Sequence, residues 1–331
     1  MENENVYVDL LLTNAVQTKP NQRVQVKFFL NNSQPIIDDT TNFKLSVIRF
    51  SLNTETLPIF IPHMKDDGSE TIYSVTMEYN GFMFQRYMQF IPQNANPLDA
   101  DEKYYIYSYQ YVMYLMNNML NECLVGLNNL VDTSVNVALV LAFNVDNQMC
   151  KMELDSAKYG FNETGKINIY MNTQMYALVS TLPSNIVHLD QGRDFQINNQ
   201  ISDDKDVLTQ EYATVQLWNP VGAIVFTSNM LPIYETVTAP LQVYKDGQLS
   251  NNNTSYHFLN IMTDFLANDL QFSPFVQYAP SIYRFLNLKP KSTIRNVDLQ
   301  VYWLNRNTGK LEPLYLVPGG SCSVKMYITK N

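Results

Sequence analysis

Histidine and cysteine are nearly absent from this sequence. There are three of each in 331 residues: His63, His188 and His257, and Cys123, Cys150 and Cys322. Glycine is scarce too, at 11. No two His share a ligand spacing and no His-Glu-x-x-His occurs, which excludes the common zinc centres. The Cys are far apart and odd in number, so they form neither a zinc knuckle nor a disulfide framework. Gly319-Gly320 is no phosphate loop, because its spacing to Lys325 is wrong and a strand comes next. Basic charge is short as well. Lys and Arg number 22 against 31 Asp and Glu, for a net charge of −9. No basic run exists, and Met1 to Asp9 holds no Lys or Arg. Direct nucleic-acid binding by counterion release is therefore not expected. Asp66-Asp67-Gly68-Ser69-Glu70 and Asp203-Asp204-Lys205-Asp206 lack calcium-loop spacing and read as solvated loops. No apolar run reaches the ~18–20 residues of a membrane helix. No secretory leader is expected from the opening residues. The sequence thus nominates no catalytic, cofactor-binding or metal-ligating residue, and an enzyme is not expected.

What it holds instead is material for sheets. The chain is 46% apolar, with 22 Tyr and 17 Phe. Short β-branched and aromatic runs end at Asn, Asp, Pro and Gly, which is the strand signal. Val6–Leu12 is one run. In Arg23–Leu30, Val24, Val26, Phe28 and Leu30 share a face, and period two means one face buried and one wet. Phe43–Phe50 places Phe43, Leu45 and Val47 together, with Arg49 in the same phase. Asn80-Gly81 between Thr71–Tyr79 and Gly81–Phe90 predicts a hairpin, because both turn residues tolerate positive φ. Further strands are expected at Val135–Phe143, Met149–Leu154, Ile167–Met171, Tyr212–Leu217, Ala223–Phe226 and Leu241–Tyr244 with an Asp246-Gly247 turn. Others are expected at Tyr256–Asp264, Tyr283–Leu288, Val297–Trp303, Leu314–Leu316 and Ser323–Thr329, with a turn at Asn307-Thr308-Gly309. Met175–Leu182 reads as a helical turn or a strand. The polar residues 190–209 read as a surface excursion.

One segment changes period. From Ser108 to Leu127, Val112, Leu115, Met116, Met119, Leu120, Cys123 and Leu124 recur at three and four, which predicts a helix near 108–128 with Ser108 as N-cap. Leu45, Val47, Leu115, Met119, Val301 and Trp303 are expected to be buried. Tyr104, Tyr105, Tyr107, Tyr109, Tyr111 and Tyr114 cluster into this helix. Tyr joins apolar area to a polar tip, so the cluster is read as an interface, with a cover over the sandwich as the alternative. The whole is an all-β sandwich or barrel with one substantial helix, and no linker divides residues 1–331.

Particular segments resemble a known family. They are Val6-Tyr7-Val8-Asp9, Lys44–Phe50 with Leu57–Pro62 after it, Tyr73-Ser74-Val75-Thr76, Leu217-Trp218-Asn219-Pro220, Ser228–Ile233, and Val297–Trp303 through Leu314–Gly319. They resemble the minor capsid (penton) proteins of Polinton/Maverick elements, adintoviruses and virophages. The resemblance implies a single jelly-roll β-sandwich over 1–331 with elaborated loops or insertions and a minor subdivision near 184–210. It implies a homopentamer at the vertices of an icosahedral capsid, beside a major capsid protein. It also implies a virion protein with no catalytic residues; the cysteine pattern points to synthesis in the reducing host cell interior. Two alternatives stand beside it. One is a β-sandwich attachment or carbohydrate-binding module, stacking sugars on exposed Tyr, Trp218 or Trp303. The other is a jelly-roll glycoside hydrolase, which would need two carboxylates ~5–10 Å apart across a cleft; no pair stands out.

Overall fold

The alternating runs at the start become strands β1 (Asn5–Thr13), β2 (Val24–Gln25), β3 (Lys27–Asn31) and β4 (Phe43–Asn53). The middle of the chain contributes β5 (Ser74–Tyr79), β6 (Phe82–Tyr87), helix α1 (Tyr109–Leu130), β7 (Val140–Asn144), β8 (Met149–Glu153), β9 (Asn168–Met171), helix α2 (Thr173–Leu178), β10 (Ser184–Leu189), β11 (Arg193–Ile197), β12 (Val207–Thr209) and the single turn α3 (Val215–Trp218). The last third holds β13 (Val221–Thr227), β14 (Thr236–Thr238), β15 (Val243–Lys245), β16 (Gln248–Ser250), β17 (His257–Leu259), β18 (Ile261–Leu266), β19 (Phe275–Tyr278) and β20 (Leu286–Asn287). It ends with β21 (Asn296–Asn305), β22 (Leu311–Pro313), β23 (Tyr315–Leu316) and β24 (Ser321–Lys330). The computed structural model describes residues 5–15, 22–94, 97, 102–238, 243–245, 248–250, 257–266 and 274–331. The Asp246-Gly247 turn lies outside these residues. The chain forms two compact units: Met1–Leu57 with Pro220–Asn331, and Pro58–Asn219. The second is a continuous insertion in the first, between β4 and β13.

In the first unit, β1, β24, β4 and β19 form one antiparallel sheet, and β3, β21, β13 and β18 form another. Counting these eight principal strands along the chain, one sheet runs first–eighth–third–sixth and the other second–seventh–fourth–fifth. That nested order is a jelly roll, two Greek keys folded into a double sheet. Its core is aromatic at the centre. Phe50 on β4 meets Phe226 on β13 at 5.1 Å and Phe265 on β18 at 4.8 Å, so both sheets contribute to one cluster. Leu45, Val47, Val301 and Trp303 are buried, as their phase predicts.

Arg49 shows where simple alternation fails. It is in phase with Phe43, Leu45 and Val47, yet it is exposed. The register of β4 against β24 slips at this point: Val47 faces Met326 while Arg49 faces Lys325, leaving Ile48 as an extra residue. A β-bulge reverses the facing of the residues beyond it. Phe50 and Leu52 therefore point into the core and Arg49 points outward.

The insertion has its own core, built on α1. The helix packs on β5, β6 and β7 with Val112, Leu115, Met116, Met119, Leu120, Cys123, Leu124 and Leu127 buried. Its sheets run β10-β11-β9-β5-β6 and β12-β8-β7. The β5–β6 hairpin turns at Asn80 (φ 49°) and Gly81 (φ 85°), the paired positive φ that its sequence predicts. Ser108 is the N-cap of α1, but its hydroxyl makes no capping bond; its carbonyl accepts from Tyr111 and Val112 instead.

Other sequence-based expectations also differ from the fold. Of Tyr283–Leu288 only Leu286–Asn287 forms a strand. Tyr212–Leu217 is not a strand but leads into α3, because the indole of Trp218 donates to the Leu178 carbonyl at 2.7 Å and draws the chain into a turn. In Val135–Phe143 the ladder begins only at Val140. The Val135 carbonyl is taken by the Asn128 amide on α1 at 2.8 Å, and Ser134 has a φ of 54°. Residues 190–209 are more than an excursion, since β11 and β12 lie in them. Phe195 stacks on Tyr176 at 3.9 Å, and Gln196 and Ile197 are buried while the acidic residues face out.

Gly126 offers a test of the α1–β6 packing. A Cβ there would stand 2.2 Å from Cε1 of Phe84. Alanine would favour the helix by about 1 kcal/mol, whereas overpacking costs about 1–3 kcal/mol. Gly126→Ala is expected to lower stability by up to about 2 kcal/mol in denaturant melts, and Phe84→Leu is expected to relieve that loss. A gain of stability in the single variant would show that the ring moves aside freely.

Candidate assembly surfaces

The residues that could carry chemistry are dispersed. His63 and His188 are exposed in separate parts of the insertion, and His257 begins β17. Cys123, Cys150 and Cys322 are free, buried thiols. Burial pushes each of them up to about 12. Cys123 lies 3.2 Å from the carbonyl of Phe84, a structural contact. Asp67 accepts from the amide and hydroxyl of Ser69, which hold its carboxyl below the usual range. The hydroxyl and amide of Ser156 hold the Asp206 carboxyl down in the same way. The first bond stabilises its own loop, and the second ties the segment after β8 to the one before β12. Among the described residues no three His, Cys, Asp or Glu side chains are placed to hold a metal ion. No described helix is long and apolar enough to cross a membrane.

The buried thiols carry a pH prediction. A folded-state thiol raised from 9.0 to about 12 supplies stability that is complete below the unfolded value and is lost as pH rises through the folded one. Tyr73, raised by burial from 10.0 to about 12, acts in the same direction. The melting temperature is expected to fall steadily from about pH 9 to about pH 12. At pH 8 Ellman's reagent should find no thiol until denaturant is added, and then three. Reaction of any thiol in the native chain would contradict this burial.

The Tyr cluster at α1 serves mainly the insertion itself. Tyr105 is buried. Tyr107 donates to Glu102, Tyr111 donates to the Ile91 carbonyl, and Tyr109 stacks on Phe143 at 4.8 Å. Tyr114 alone of the six is exposed.

A different aromatic surface emerges on the outer face of the sheet β1-β24-β4. Tyr7 and Tyr327 are cross-strand partners and stack at 4.7 Å. Phe285 and Tyr283, in the chain leading to β20, approach Tyr327 edge-on at 6.0 and 6.4 Å. Ser46, opposite Tyr327 on β4, is small and buried, leaving space for these rings. Cations rim them. Lys44 Nζ stands 4.6 Å over the Phe285 ring and Lys325 Nζ 5.4 Å over that of Tyr7. Arg49 and Lys325 both reach Asp9, at 3.9 and 3.1 Å. Tyr7 remains 57% exposed and Leu11, two pleats along, 76%. An open depression lined by Arg49, Ser51, Gln277, Tyr278 and Ser323 adjoins them. The alternation of Tyr7, Asp9 and Leu11 against buried Val8 and Leu10 was the one local signal of this face. Its other members come from distant parts of the chain.

A jelly roll carrying a large insertion is an architecture that viral capsid proteins use, among others. Residues 6–330 match the family Sputnik minor capsid protein V18/19, and the chain belongs to that family. It is a viral structural protein of the virion. "Uncharacterized protein V18" of Sputnik virophage is 30% identical over 140 residues, covering 36% of this chain and 81% of that one. In the cryo-EM structure of the Sputnik virophage, a chain superposes with a TM-score of 0.81 at 22% identity, over 99% of this chain and 98% of that one. The mavirus penton protein superposes with a TM-score of 0.69 at 18% identity, over 99% of this chain and all of that one.

Proposed function

We propose that this chain is the penton: five copies close a ring at each vertex of an icosahedral shell, bordered by a major capsid protein. The observation that carries the reading is the fold likeness to the mavirus penton along the whole chain, insertion included. Residues 1–331 then act as one jelly-roll capsid domain, with Pro58–Asn219 as its principal insertion. A ring of identical subunits uses a heterologous contact, one patch of each copy against a different patch of the next. The chain is made in the host cell interior, where three reduced thiols are stable. It has no enzymatic step, no bound cofactor and no direct nucleic-acid contact. Reconstruction of the assembled particle tests this. Density for the chain at fivefold positions is the expected result. Density at quasi-sixfold positions, or none in the shell, would overturn the assignment.

A further inference from the structure

Charge is divided unequally between the two units. Pro58–Asn219 carries 19 Asp and Glu against eight Lys and Arg, while the rest of the chain carries 12 against 14. The aromatic face lies on the slightly basic jelly roll. Among the described residues its charged side chains are Lys44, Arg49 and Lys325 against one carboxylate, Asp9. Tyr and Arg on an apolar centre are what anchor protein interfaces. Such a face fits a partner surface that pairs apolar side chains with carboxylates. The insertion presents that combination. Val145 precedes Asp146, Leu189 precedes Asp190, and Ile201 stands near Asp203 and Asp204, with all three apolar residues exposed.

We infer that the aromatic outer face of β1-β24-β4 in one copy receives the acidic insertion of a second copy. The inference rests on the ring proposed above and names its contact. Charge selects this pairing over the alternatives. Insertion against insertion brings two strongly negative surfaces together, and jelly roll against jelly roll brings two weakly positive ones. Insertion against jelly roll is the attractive combination. It is also heterologous, the kind of contact that closes by rotation.

Site-specific photocrosslinking in assembled particles tests it. Benzoylphenylalanine replaces Tyr7 or Phe285, and particles are built from a mixture of isotopically heavy and light copies. The expected result is heavy–light crosslinks from both positions into peptides of Pro58–Asn219. Crosslinks into Pro220–Asn331, crosslinks into another virion protein, or no crosslink would each overturn the inference. A chain absent from fivefold density overturns the penton reading, whereas these crosslink outcomes judge the contact alone. In the same particles, Lys44→Glu, which leaves the Asp9–Lys325 pair intact, should lower penton retention at least tenfold in 50 mM salt. Equal retention would also overturn it.

Discussion

Trp218→Ala lowers the stability of the insertion by about 3–5 kcal/mol, the range for removing a buried Trp. The ring is 3% exposed and lies between Phe60, Tyr109 and Phe143, with centroids 6.0–6.2 Å away. Most of the cost is cavity. The Leu178 carbonyl that receives the indole N–H also receives the hydroxyl of Thr214 at 2.7 Å, so it keeps a partner in the variant. Trp218→Phe should accordingly cost much less than Trp218→Ala. The two Trp make the measurement clean, because Trp218 lies in the insertion and Trp303 in the jelly roll. In Trp218→Ala, Trp303 is the sole Trp reporter of jelly-roll unfolding, and circular dichroism of α1 tracks the insertion. A loss under about 1 kcal/mol in the α1 transition would mean that the site collapses around the missing ring.

The second large effect belongs to the jelly roll. Asp298 on β21 is 9% exposed. Its carboxylate accepts from the Ser228 hydroxyl at 2.6 Å, the Asn229 amide at 3.1 Å and the Met230 amide at 2.8 Å. Ser228 in turn accepts from the Leu231 amide. The carboxylate thus holds the whole turn after β13. Asp298→Ala leaves these donors unpaired and should cost on the order of 3 kcal/mol, given ~1.5–3 kcal/mol for bonds to a charged group. Asp298→Asn keeps one carbonyl acceptor and should fall between. Urea melts read through Trp303 check the order. Equal stability of all three proteins would show that water replaces the carboxylate.

Much of this molecule was legible in its local periodicity. The β5–β6 hairpin comes from Asn80-Gly81, because few other pairs adopt two positive φ values cheaply. Helix α1 comes from apolar residues at three and four, and its buried face is the expected one. The segments where local pattern and structure part have non-local causes. Tyr212–Leu217 has β-branched and aromatic content, but a hydrogen bond from Trp218 to a carbonyl 40 residues earlier makes its end helical. Arg49 is misplaced by alternation because the bulge depends on its partner strand. Beyond the alternation of Tyr7, Asp9 and Leu11, the aromatic face leaves no local pattern, because Tyr7, Tyr283, Phe285 and Tyr327 are scattered over the whole chain. The Tyr run leading into α1, dense in sequence, is mostly half-buried against the insertion.

By itself the sequence determined the kind of most elements and the buried phase of most of them. Those depend on residue type and spacing, which act over a few residues. The tertiary structure alone decided which strands pair. Backbone hydrogen bonds are nearly the same for any sequence, so the jelly-roll order, the limits of the Pro58–Asn219 insertion and the outer aromatic face come from burying all the apolar faces together. That collective burial puts Tyr7 beside Tyr327 and binds the Ser228 turn to Asp298, 70 residues away.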